Sequence, residues 1–195
     1  MSSIIASSKQ YFADLNSALT ALPEADICGA AELIESAFLA GKQVFIAGNG
    51  GSAATASHMA CDFAKTTLGK SHERISFRIK AIALSDNVPA ITAWGNDVSY
   101  DLVFSEQLRN LANEGDLLVV ITCSGNSPNI LETLKAAKEL GLQTLGLLGF
   151  AGGKALPLCD KSIVVCSEDY GVIEDAHSIL NHLLTAHMKA RVQGL

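Results

Sequence analysis

Three features of the chain predict an α/β fold built on a mainly parallel sheet. Short runs rich in Val, Ile and Leu recur between segments of helical periodicity, Leu117–Thr122 (LLVVIT) being the clearest. These runs are continuously apolar instead of alternating, the pattern of strands covered by helices on both faces. The alternation of strand and helix continues without repeat, low-complexity segment or linker, and a chain of 195 residues has the size of one domain. The expectation is a three-layer sandwich: a mainly parallel five-stranded sheet with helices on both faces, preceded by two leading helices.

The elements follow in order. Residues 4–22 carry apolar positions at helical spacing (Ile4/Ile5, Tyr11/Phe12, Leu15, Leu19, Leu22), and Pro23 interrupts them. A second helix is predicted from about Asp26 to Leu39, stopping before Gly41. Residues 1–40 thus form a helical pair, and 41–195 form the α/β core. Gln43–Ala47 reads as the first strand, with a Gly-rich turn and a helix over Ser52–Thr66 behind it. Leu68–Lys80 is the most polar stretch and reads as a surface excursion. Ala81–Leu84 is the second strand, followed by a helical stretch through Trp94 and another helix over Tyr100–Asn113. Leu117–Thr122 precedes the helix Pro128–Leu140; Thr144–Leu148 and Ser162–Cys166 are the last strands, and a helix over Val172–Arg191 closes the chain.

Composition narrows the function. Hydrophobic residues at 49% and charged residues at 17% fit a compact globular chain. The net charge of −6 without a basic cluster argues against nucleic acid as a partner. The five cysteines form no C-x-x-C pair, which points away from a disulfide framework or zinc knuckle and toward a reducing cytoplasm. Neither a signal peptide nor an apolar run of membrane-spanning length is read, so no membrane partner is expected.

Two loops carry the strongest functional signal. Gly48-Asn49-Gly50-Gly51-Ser52 follows the first strand, and Thr122-Cys123-Ser124-Gly125-Asn126-Ser127 follows the third; each leads into a helix. Unpaired N–H groups at a helix start, the helix dipole and nearby hydroxyls together suit a phosphate, without any Lys or Arg. Pro128 after Ser127 marks a helix start with Ser127 as N-cap. Neither loop matches G-x-x-x-x-G-K-[ST] or G-x-G-x-x-G, so no nucleotide cofactor is expected. Farther along the first of these helices, His58 and Asp62 are spaced i, i+4 and share a face.

The segments GNGGSAATASHMACDFA (48–64), LSDNVPAITAWGND (84–97), TCSGNSPNILETLKAAKELG (122–141) and IEDAHSILNHLL (173–184) resemble the phosphoheptose isomerase family of sugar isomerase (SIS) domains. The resemblance runs in order over most of the chain and is more specific for the fold and for a sugar phosphate than for one reaction. It implies an aldose–ketose isomerase, an intramolecular oxidoreductase turning sedoheptulose 7-phosphate into a heptose 7-phosphate through an enediol. That chemistry requires a base for a carbon-bound proton and an acid for the oxygens, or a metal that polarises them.

By the resemblance, Asp62 stands at the base, where Glu is usual, and His182 at the acid, with Glu174, where Gln is usual, able to share one of these roles. Asn49, Gly50, Gly51 and Ser52, with Cys123, Ser124, Asn126 and Ser127, would bind substrate, and Asp97 in Gly95-Asn96-Asp97 would assist. Some family members bind zinc through the equivalents of His58, Asp62, Glu174 and His182, an N/O set that suits this metal. Glu174 and His182 are separated by eight residues, roughly 12 Å along a helix and about 80° round it, so only a metal lying midway could join both. His177 reads as packing or as support to the site, and His72 and His187 as surface residues.

Several positions depart from the family. Cys123 replaces a usual Thr, an Arg usual near Lys65–Thr67 is missing, and Val172-Ile173-Glu174 replaces Arg-Ile-Gln. Two alternatives therefore stay open: an isomerase of another sugar phosphate, and a non-catalytic sugar-phosphate-binding regulator of the type that associates with the replication initiator. The apolar leading helices suggest an interface. The resemblance implies a homotetramer with active sites at subunit boundaries.

Overall fold

The computed structural model describes residues 2–70 and 72–194. Five strands, β1 (Gln43–Gly48), β2 (Lys80–Ala83), β3 (Leu117–Thr122), β4 (Gln143–Gly149) and β5 (Lys161–Val165), form one sheet in the order β2-β1-β3-β4-β5. Every neighbouring pair is parallel. The central strand β3 is buried at all six positions, as its unbroken apolar run requires.

Alternate side chains of the strands feed two cores. Val44, Ile46, Val119, Ile121, Leu145 and Ile163 point to one face, where α2 (Glu24–Leu39), α3 (Gly51–Ala64) and α7 (Tyr170–Gln193) bury Phe38, Met59, Phe63, Leu180 and Met188. Phe45, Ala47, Leu118 and Val120 point to the other, under α5 (Ser105–Leu111) and α6 (Pro128–Glu139) with Leu108, Ile130 and Leu134. The three-layer sandwich is therefore as the apolar pattern predicts. The helix α1 (Ser2–Thr20) packs on α7, and the Tyr11 hydroxyl donates to Asp175 at 2.7 Å. Among the described residues, no helix is long and apolar enough to cross a membrane.

Differences from the sequence reading are local. The helix expected over Tyr100–Asn113 divides into a 3-10 turn, Tyr100–Leu102, and α5. Ser99 accepts from the Asp101 N–H and caps the 3-10 turn, and Val103 and Phe104, between that turn and α5, pack into the second core. The first-loop helix ends at Ala64, before a 3-10 turn over Thr66–Leu68 that buries Leu68. The last helix starts earlier than expected, at Tyr170, because the Asp169 carboxylate accepts from the N–H groups of Gly171 and Val172. A 3-10 segment, Gly153–Leu158, links β4 to β5; its short, Pro-containing sequence carries no periodic signal.

The chain leaves β1 toward β2 on one side and lies beside β3 on the other. The carboxyl ends of β1 and β3 thus flank the point where strand order reverses, the position where open α/β sheets bind ligands.

Candidate active site

The loop after β1 turns sharply into α3. A Cβ at Gly48 would meet the Ser52 carbonyl oxygen at 2.6 Å, and Gly50 has φ +54 and ψ −123, a conformation that excludes L side chains. The Asn49 carboxamide exchanges two hydrogen bonds with that of Asn129, 2.8 Å each, and also accepts from the Tyr100 hydroxyl at 3.3 Å. This cross-link holds the loop after β1 against the start of α6.

The loop after β3 is held from within. Gly125 N–H donates to Thr122 Oγ1, Asn126 N–H to Ser124 Oγ, and Asn126 Nδ2 to the Ser124 carbonyl. The Asn126 side-chain oxygen accepts from the Lys154 N–H, and the Ala155 N–H donates to the Gly125 carbonyl, so the 3-10 segment braces this turn. Asn126 therefore shapes the loop and does not line the cavity. Ser127 occupies the N-cap position before Pro128 as predicted, yet its hydroxyl makes no capping bond and remains available to a ligand.

Between the loops lies a cavity of about 220 Å³ lined by Asn49, Ser52, Thr122, Cys123, Ser124, Ser127, Tyr170 and Glu174, with Ile121 at its base. None of these lining residues is Lys, Arg or His. An anion here would be held by the hydroxyls and by the N-termini of α3 and α6. Cys123 is nearly fully buried, and burial, reinforced by the neighbouring Glu174 charge, pushes its thiol up to about 11. It is protonated at neutral pH, in keeping with a wall residue and not a nucleophile.

A second group of side chains forms where α3 packs on α7. Asp62 is buried; its Oδ1 accepts from Thr66 Oγ1 at 2.9 Å and its Oδ2 from Asn181 Nδ2 at 3.1 Å. The same Oδ2 stands 3.4 Å from His58 Nε2 and 3.9 Å from His182 Nε2. The two imidazoles meet edge to face with centroids 5.0 Å apart. One ligating atom from each of His58, Asp62 and His182 lies within 4.8 Å of the others, a N/O/N donor set that fits a zinc-like ion.

Glu174 does not belong to that group. Its carboxylate lies over Gly51, where an added Cβ would be 2.6 Å from it, and lines the cavity. The separation follows from the helix rise between Glu174 and His182. Asp97, the last residue of α4 (Val88–Asp97), is exposed, accepts from its neighbour Asn96 at 2.7 Å, and does not line this chain's cavity. The N-cap of α4 is Asn87, which accepts from the Ala90 N–H, while Asp86 accepts from the Ser57 hydroxyl.

The remaining histidines divide as the sequence suggests. His177 is buried, its Nε2 lies 3.1 Å from the Leu148 carbonyl oxygen, and burial pulls its imidazole down to about 4. His187 pairs with Glu35 beside Arg191, and His72 is exposed. Sequence reasoning missed Thr66, Asn181, Asn129 and Tyr170. Thr66 had a signal, since it lies four residues after Asp62 in the helix expected over Ser52–Thr66, whereas Tyr170 lies ahead of the helix start expected at Val172. Asn129 and Asn181 are reached only through tertiary packing.

A family model for the SIS domain matches residues 10–149. The phosphoheptose isomerase of Campylobacter concisus is 43% identical over 165 residues, 85% of each chain. The solved structure of phosphoheptose isomerase GmhA from Neisseria gonorrhoeae superposes with a TM-score of 0.86 at 32% identity, covering 96% of this chain and 97% of that one. A phosphoheptose isomerase from Francisella tularensis gives 0.87 at 30% identity, with 96% of both chains covered.

Proposed function

The chain belongs to the phosphoheptose isomerase family of SIS domains, and from that premise we propose that it interconverts sedoheptulose 7-phosphate and an aldoheptose 7-phosphate through an enediol. One observation carries this reading: the helix that begins at the anion cavity, α3, also supplies His58 and Asp62 to the group completed by His182. A phosphate at one end of an open-chain sugar and a carbonyl at the other match these two places.

In this reading, Ser52, Ser124 and Ser127 hold the phosphate together with the N–H groups of Gly50, Gly51 and the α6 start. The sugar chain runs past Glu174 along the cleft between α3 and α7. Asp62, as carboxylate, takes the proton from C1 of the ketose, and His182 gives one to O2, forming the enediol. Asp62 then returns a proton to C2 while His182 accepts the one on O1, which leaves the aldehyde at C1. Thr66 and Asn181 fix the carboxylate so that it meets the carbon with little reorganisation. A zinc ion on His58, Asp62 and His182 would polarise the carbonyl and enediol oxygens. Glu174, free at the cavity, is then the carboxylate left to share the acid–base role.

The assembly proposed is a homotetramer with active sites at subunit boundaries, in a reducing cytoplasm. Support comes from apolar surface: Ile4, Ile5 and Phe12 on α1 and Val88 on α4 are more than half exposed, and Ile91 and Trp94 of α4 are only partly buried against the second core. A groove of about 290 Å³ between α2 and α7, lined by Ile27, Ala31, Leu183 and Leu184, adds to it. Asp97 at the end of α4 would reach substrate from a neighbouring subunit. All five cysteines are free, as a reducing compartment expects.

Steady-state turnover of sedoheptulose 7-phosphate by purified protein tests the reading. Asp62→Asn and His182→Ala are each expected to lower kcat by about 10²–10⁴ with sugar phosphate still bound. Turnover undiminished in both variants would refute the assigned acid–base pair.

A further inference from the structure

Two aromatic side chains, Tyr170 in the cavity wall and Phe150 packed against it, take no part in the steps above. Phe150 follows β4, where the Gly149 N–H donates to the Cys123 carbonyl at 2.9 Å and ties this corner to the loop after β3. Its φ is +51, making it the one non-glycine among the described residues in the left-handed region. Gly149, Gly152 and Gly153 lie within three residues of it, yet the strained position itself carries a bulky ring. A strained backbone kept beside a residue of the cavity wall points to a use for the side chain it presents.

That ring is partly buried against the first core and meets Tyr170 edge to face, with centroids 5.0 Å apart and planes at 70°. Tyr170 is the first residue of α7, pinned by the Asp169 cap, and one turn before Glu174. It lines the cavity and is still 58% exposed, and its hydroxyl has no hydrogen bond among the described residues. A large aromatic face thus stands at the edge of an otherwise polar cavity, held from behind and open in front.

We propose that Tyr170 is a specificity-determining residue that reads the carbon chain of a phosphorylated sugar, and that Phe150 is its positioning residue. The ring face packs on the C–H face of the sugar next to its phosphate, and the phenol donates to a sugar hydroxyl. Phosphate itself is recognised by the loops without either aromatic. The inference rests on the proposed sugar-phosphate reading of the cavity, and it sets apart the phosphate-binding and sugar-reading parts of one site.

Calorimetric titration with two probes, inorganic phosphate and sedoheptulose 7-phosphate, tests it. Tyr170→Ala is expected to weaken sugar phosphate by about tenfold, the scale of one well-placed aromatic contact, with phosphate affinity unchanged. Tyr170→Phe should recover most of that loss. Phe150→Ala should act in the same direction as Tyr170→Ala and Phe150→Tyr should restore binding, with KM rising more than kcat falls. Equal weakening of both probes would overturn the proposal, because it would make the aromatics supports of the phosphate loops. Unchanged sugar-phosphate affinity in both alanine variants would overturn it as well. If the unsubstituted protein binds phosphate but no sugar phosphate, the underlying reading fails with it, a result distinct from either of those.

Discussion

Asp62 accepts hydrogen bonds from Thr66 and Asn181 and still faces two imidazoles, so one buried carboxylate organises the whole reactive group. If Asp62 is the base as proposed, removing the Thr66 hydroxyl by Thr66→Val should lower kcat several-fold and leave KM nearly unchanged, since it loosens that carboxylate and not the proposed phosphate site. His177 gives a separate residue-scale expectation. Its folded value of about 4 lies below the ordinary 6.5, so the unfolded chain takes up the proton first. The stability this histidine confers is complete above pH 6.5 and is lost as pH falls from 6.5 toward 4, about 3 kcal/mol in all. Denaturant unfolding at pH 7 and pH 4.5 should show that fall, and His177→Gln should flatten it. In sequence terms, His58 and Asp62 were legible from their i, i+4 spacing and His182 from resemblance. Glu174's separation from His182 follows from the helix rise, whereas its place relative to His58 and Asp62 is set by the packing of α3 on α7. Asn181 was not legible, because only the packing of α3 on α7 makes it a neighbour of Asp62.

The elements were legible in proportion to their periodicity. All five strands and the helices flanking the two Gly/Ser loops fall within a few residues of expectation, because continuous β-branched runs and N-terminal signals leave few alternatives. The break between Tyr100–Leu102 and α5 was hidden, because a local cap from the Ser99 side chain starts a 3-10 turn in a stretch that reads as one helix. The Gly153–Leu158 segment was hidden as well, because its role is to brace the Asn126 turn through contacts distant in sequence. The loop after β1 carries the element-scale prediction. Gly50→Ala places a Cβ where φ +54 and ψ −123 admit glycine alone, and should cost roughly 1–3 kcal/mol. Thermal melts with and without inorganic phosphate should show a lower midpoint and loss of the phosphate-induced rise. A variant that melts like the parent and keeps that rise would show that the turn does not set the anion site.

For the molecule as a whole, the sequence indicated apolar leading helices, and α1 does present Ile4, Ile5 and Phe12 to solvent while Tyr11 and Leu15 pack inward. That α4 buries none of its residues fully, with only Ile91 and Trp94 packed part-way against the second core, was not legible from its sequence, which reads like any core helix. A D2 tetramer would cover both surfaces. On the proposed tetramer, Phe12→Asp should lower the sedimenting mass below that of four chains, and activity should fall with it if Asp97 serves a neighbour's site. A monomer that stays fully active would contradict the proposed shared site.

The most direct test of the central claim is proton exchange during turnover. Sedoheptulose 7-phosphate incubated with the protein in D₂O should yield aldose carrying deuterium at C2, and Asp62→Asn should abolish both product and exchange. Sugar phosphate that binds yet gives neither product nor deuterium incorporation, with zinc supplied or withheld, would contradict the isomerase account and leave a binding protein in its place.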